Sequence, residues 1–136
     1  MQKFLPVVLA TLLLAAMPVA HASSADDACA SMGEARGHLV TMLGSSNKAA
    51  NDELKAKVHA ASAKVDAALA AMLKSYNASD EGKASSVKPV WEAFKNTRET
   101  EIIPAIYAGK QAEAKAAATG VQAERMKQMR GTLGCK

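Results

Sequence analysis

Beyond residue 22, apolar positions recur at spacings of three and four, and no stretch alternates singly as a strand would. Trp91, Phe94, Arg98, Ile102 and Ala105 fall on one helical face, and Tyr107-Ala108-Gly109 stops that helix. Lys110 opens an Ala-rich helix after almost no loop, so these two helices must fold back as an antiparallel pair. Earlier in the chain, Leu54, Val58, Ala61, Val65, Ala68, Met72 and Tyr76 step by four and three, the seam of a left-handed bundle. Asn51 or Asp52 is expected to cap its start. A first helix begins near Ala25, with Asp26 and Asp27 in the turn where negative charge suits the dipole. Its stripe is Ala28, Met32, Ala35, Leu39 and Met42, and Gly44-Ser45-Ser46-Asn47 forms the turn after it.

The third helix is predicted to start after an N-cap at Ser85-Ser86, following turn chemistry over Asn77–Gly82. Pro89 would then sit in the first turn, where its missing N–H costs little. Pro104 predicts a bend near the end of this helix, and Gly109 supplies the C-cap. The fourth helix runs from Lys110 to about Leu133, and its apolar phase drifts near Gly120. Ala114, Ala117 and Val121 form the stripe before the drift, and Met126, Met129 and Leu133 after it. A glycine there weakens the helix by roughly 1 kcal/mol relative to alanine. That implies a large neighbour, such as Trp91, or a point of flexure. Four helices with short connections predict an all-α, antiparallel up-down-up-down four-helix bundle in one domain.

The opening residues read as an address. Lys3 precedes an apolar run from Leu5 to Val19, and Ala20-His21-Ala22 is a small-x-small cleavage pattern. Residues 1–22 are therefore expected to be a secretory signal peptide, leaving the bundle over 23–136. The apolar run is short for a span of roughly 20 residues, so no stable membrane insertion is expected after cleavage, and the product is placed in the periplasm. The net charge of +4 is mixed along the helices, and aromatics are only 4% of the chain, which argues against nucleic acid as a partner. Cys29 and Cys135 both lie in the exported part, where a disulfide is the default. An up-down bundle brings its two termini to the same end, where that bond can form.

Catalytic chemistry finds no foothold: there is no Ser-His-Asp or Cys-His arrangement and no glycine-rich phosphate loop, so a non-enzyme is expected. His38 and His59 lie far apart with no adjacent acidic or Cys partner, which makes a poor metal site. Arg98 is the polar residue that packing explains least, because it occupies a core-facing position between Phe94 and Ile102. One reading has Arg98, with Arg36 or Arg125, gripping a small carboxylate between helices, with Trp91 or Tyr107 lining the pocket. The other has it reaching the bundle edge or pairing with Glu99, Glu101 or Glu124, and this packing reading takes precedence.

Two resemblances bear on function. Arg36, the heptad helix ending in Tyr76, Trp91-x-x-Phe94-x-x-x-Arg98, Ile102-Ile103, Ala108-Gly109-Lys110 and Ala114 occur in this order. That order, over about residues 28–133, resembles the ligand-binding four-helix bundle of methyl-accepting chemotaxis receptors. The resemblance implies a periplasmic sensor that binds a small molecule or a partner protein, and a homodimer through the first and fourth helices. No second apolar segment follows the bundle in this sequence, so a free-standing exported form is expected. Gly109-Lys110, Glu113-Ala114, Ala116-Ala117-Ala118 and Arg125 are also similar to the last helix of the cytochrome b562 family, which holds haem b with a Met and a His. No His follows His59, but the reversed pair His38 and Met126 keeps haem b as an alternative, although His38 falls one position off its stripe. The absence of Cys-x-x-Cys-His excludes covalent haem. An interaction or chaperone-like module is the third reading.

Overall fold

The computed structural model describes residues 23–136, and the signal-peptide reading of residues 1–22 lies outside them. The order is α1 (Ser24–Leu43), α2 (Lys48–Leu73), α3 (Ala78–Thr97), a π-helical turn (Arg98–Ile102), α4 (Ile103–Tyr107), α5 (Gln111–Thr119) and α6 (Val121–Leu133). α3, the π turn and α4 run on as a third rod, and α5 with α6 makes the fourth. The fold is an all-α four-helix bundle, with no strand among the described residues. Cys29 and Cys135 are joined as a disulfide with their Cα atoms 5.6 Å apart, so the first rod begins where the fourth ends.

Short polar side chains decide where the helices start, and in two places they differ from the sequence expectation. Asn47 caps α2 by accepting from the Ala50 N–H, so neither Asn51 nor Asp52 has that role; Asn51 lies buried inside the helix. Asn77 caps α3 by accepting from the N–H groups of Ser79 and Asp80, and Asp80 and Glu81 occupy the acid-favouring first turn. α3 therefore starts at Ala78 rather than after Ser85-Ser86, and Pro89 stands inside it instead of in its first turn. Tyr76 is displaced from the α2 seam into the turn before Asn77, with φ of 56° and a fully exposed ring.

The irregularity expected at Pro104 takes the form of the π turn just ahead of it, where the Ile103 N–H reaches back to the Arg98 carbonyl. At the rod's end Gly109 adopts φ of +75°, which lets Lys110 donate to the Ala105 carbonyl (2.8 Å) and Gly109 to that of Ile106 (3.1 Å). Gly134 repeats the motif with φ of +76°, and Cys135 donates to the Arg130 carbonyl, turning the chain back toward Cys29.

Gly120 interrupts the fourth rod at φ −92° and ψ −108°. Trp91 is not its packing partner: a Cβ there would meet only the Ala116 carbonyl oxygen, at 3.0 Å. The break resets the helical phase, so Val121 turns outward (46% exposed) and Gln122 turns inward (3%), a correction to the stripe read from the sequence.

The apolar core is divided in two. Near the disulfide, Met32, Val65, Leu69, Met72, Val87, Trp91, Phe94, Met126 and Met129 pack together. Toward the other end Leu39, Met42, Val58, Ile102, Ile103, Ile106 and Ala114 form a second cluster. Between them lie small or polar residues, all buried: Ala35 on α1, Ser62 on α2, Thr97 and Arg98 on the third rod, and Gln122 on the fourth. α1 packs along the length of α2 but touches α5 and α6 only sparsely, which leaves one seam of the bundle open.

Candidate functional site

The polar belt at mid-height is internally satisfied. Arg98, with its side chain 3% exposed, donates from Nη1 to Ser62 Oγ at 2.7 Å and from Nε to Glu99 Oε1 at 2.8 Å. Ser62 in turn donates to the Val58 carbonyl, and His59 Nε2 lies 2.9 Å from Glu99 Oε1. Burial pushes the Glu99 carboxyl up, but the hydrogen bonds and charges of Arg98 and His59 outweigh it and hold the group below its ordinary value. On the other side of the third rod, Arg125 Nη1 donates to Thr97 Oγ1 at 2.7 Å, to the Ala93 carbonyl and to Gln122 Oε1. Gln122 donates its amide to the Phe94 carbonyl at 2.8 Å. The buried guanidinium is thus part of a belt that stitches α2 and α6 to the third rod beside the π turn.

The open seam is a groove of about 430 Å³ at the level of the belt and beyond it. Its floor is Leu39, Leu43, Phe94 and Ala118, Val40 and Gly44 complete the α1 wall, and Thr119 and Gln122 flank the Gly120 break opposite. Arg36 from α1 and Lys115 from α5 are its two charged residues, and both are cations. Among the described residues neither is ion-paired with a carboxylate. A cationic edge over an apolar floor is suited to an organic anion with a hydrocarbon body.

The residues singled out from the sequence do not gather at one place. Arg36 lines the groove, Arg98 belongs to the belt on the α2 side, and Arg125 belongs to it on the α6 side. Trp91 is fully buried, stacks on Phe94 at 5.4 Å between centroids, and donates from Nε1 to Asp66 Oδ1 at 2.7 Å. Lys95 also reaches Asp66, and burial, which lowers its pKa, is outweighed by Asp66 and Glu92, which raise it. Tyr107 stands near the far end of the bundle, its hydroxyl 2.6 Å from Asp52 Oδ1; that hydrogen bond, with lesser help from burial, pushes the phenol up to about 12. His38 lies beside Glu34 at 3.9 Å, whereas Met126 is buried in the core and borders the continuation of the groove.

Lys115, Thr119 and Gln122 were not legible as site residues. The drift of the stripe at Gly120 was the available signal, since a shift by one position exchanges Val121 for Gln122. Among the described residues there is no cluster of three or more His, Cys, Asp or Glu able to hold a metal ion, and no helix long and apolar enough to cross a membrane.

Compared with known families, the chain matches the four-helix bundle sensory module for signal transduction over residues 17–134. No curated protein and no solved structure matches it significantly. The match takes in all four rods, the divided core and the groove between the first and the last, and the protein belongs to this family of sensory modules, the sensor bundles of chemotaxis receptors.

Proposed function

We propose that this sensory bundle works in the periplasm and binds a small organic anion in the groove between α1 and the fourth rod. The observation that carries the reading is the pair Arg36 and Lys115, two cations that have no carboxylate partner among the described residues, set over Leu39, Leu43 and Phe94. A carboxylate placed between them gains charge-assisted hydrogen bonds while its hydrocarbon part leaves water. The Cys29–Cys135 disulfide supports an oxidising compartment. Gln122 links the groove to the belt, so an occupant that touches its side chain acts on the residues joining α6 to the third rod.

The test is a thermal-shift and calorimetric screen with mono- and dicarboxylates of increasing apolar size. At least one is expected to stabilise the protein, with the effect lost in the Arg36→Ala/Lys115→Ala double variant. A screen without hits, or hits indifferent to both substitutions, would overturn the reading.

A further inference from the structure

The groove does not end at Arg36. Arg36 and Val40 also line a second hollow of about 410 Å³, bounded by Gly33, Gly37, Met126 and Arg130. From Gly33 to Gly44 the channel follows α1 for about 16 Å at the helical rise per residue.

Two features of this extension call for an occupant. Gly33 and Gly37 lie within α1, where glycine costs more than any residue except proline. Yet a Cβ added at either would meet nothing within 4 Å, so no contact inside the chain requires them. Their effect is to keep the extension open above Met126, an unbranched side chain that adapts to flexible hydrocarbon. The charges are also graded along the channel. Arg130 is engaged by the backbone oxygens of Lys136 and Cys29, whereas among the described residues neither Arg36 nor Lys115 has an ion-pair partner.

We infer that the ligand is a linear alkyl monocarboxylate, with its head group between Lys115 and Arg36 and its chain running past Gly37 and Gly33 over Met126. This rests on the groove reading above and adds the class of ligand to it. A compact anion would fill only the part near Lys115; an alkyl chain uses both hollows.

Butyrate and decanoate distinguish these possibilities, with binding followed by calorimetry and by the emission of Trp91, the only tryptophan, which stacks on the groove residue Phe94. Decanoate should bind at least roughly tenfold more tightly than butyrate, the effect of burying about two methylenes. A Cβ at Gly37 meets nothing within 4 Å and leucine improves helix propensity, so Gly37→Leu is expected to keep the fold while its side chain fills the extension. It should weaken decanoate by roughly tenfold or more and leave butyrate unchanged. Decyltrimethylammonium, with the same chain and the opposite charge, should not bind.

Equal affinity for the two acids, or decanoate binding that survives Gly37→Leu, overturns the alkyl assignment while leaving the anion groove standing. Loss of all acid binding overturns both. A dimer abolished by Gly37→Leu in a protein that ignores decanoate assigns the extension to a second copy, and equally overturns the inference.

Discussion

Arg98 and Ser62 form a buried hydrogen bond of 2.7 Å that ties the π turn of the third rod to the middle of α2. Ser62 accepts from the guanidinium and donates its own O–H to the Val58 carbonyl. Ser62→Ala leaves that guanidinium nitrogen without its partner in a buried position. The expected loss is about 1–3 kcal/mol, read from urea denaturation at neutral pH. A change within a few tenths would mean that water replaces the hydroxyl and that the belt is not sealed.

Glu99 makes the belt sensitive to acid. Its pKa is depressed in the folded state, so its contribution is present above the ordinary carboxylate value and is lost as pH falls through the folded one. Glu99→Gln should therefore be less stable than the parent at neutral pH, with the gap closing as the solution is acidified below the ordinary value of 4.5. A gap that stays constant through acid titration would show that the carboxylate charge is irrelevant.

Tyr107 should report the opposite end of the pH scale. Its phenol is pushed up to about 12, chiefly by the hydrogen bond to Asp52, so the stabilisation holds below the ordinary value of 10.0 and is lost as pH rises through about 12. Near-ultraviolet titration should find one of the two tyrosines ionising near that value, and Asp52→Asn should bring it down toward 10.0. No movement in the variant would disprove the assignment to Asp52.

The disulfide closes a loop with a sequence separation of 106. Chain-entropy arguments give about 4–5 kcal/mol for a loop of this size. A Cys29→Ser/Cys135→Ser variant should unfold at correspondingly lower urea, and mass measurement of the unreduced parent should find no free thiol. Unchanged denaturation midpoints would indicate that the unfolded chain is already restrained at its ends.

The bundle was legible because its stripes are long: the apolar positions chosen on α1 and most of those on α2 and the third rod are buried. Helix starts were less so, because Asn47 and Asn77 compete with nearby Ser, Asn and Asp residues that have the same capping chemistry, and only the backbone decides between them. Arg98 was recognised as anomalous, and the partner Glu99 was among those considered, but Ser62 was hidden by its place between two seam positions. The groove depends on how far α1 stands from the fourth rod, a distance that no local pattern encodes. Its residues Lys115 and Thr119 read as ordinary surface positions until the phase change at Gly120 is known.

The Cys29–Cys135 bond also alters what a broken backbone would mean. Every turn between the rods lies inside the covalent ring it closes, including the exposed one that carries Tyr76. A single protease cut in any of those turns therefore leaves one molecule rather than two fragments. The hairpin of α1 and α2 stays leashed to the third and fourth rods, at high effective concentration for reassembly. Damage to a turn is in this sense a recoverable event, and reduction is what converts it into loss.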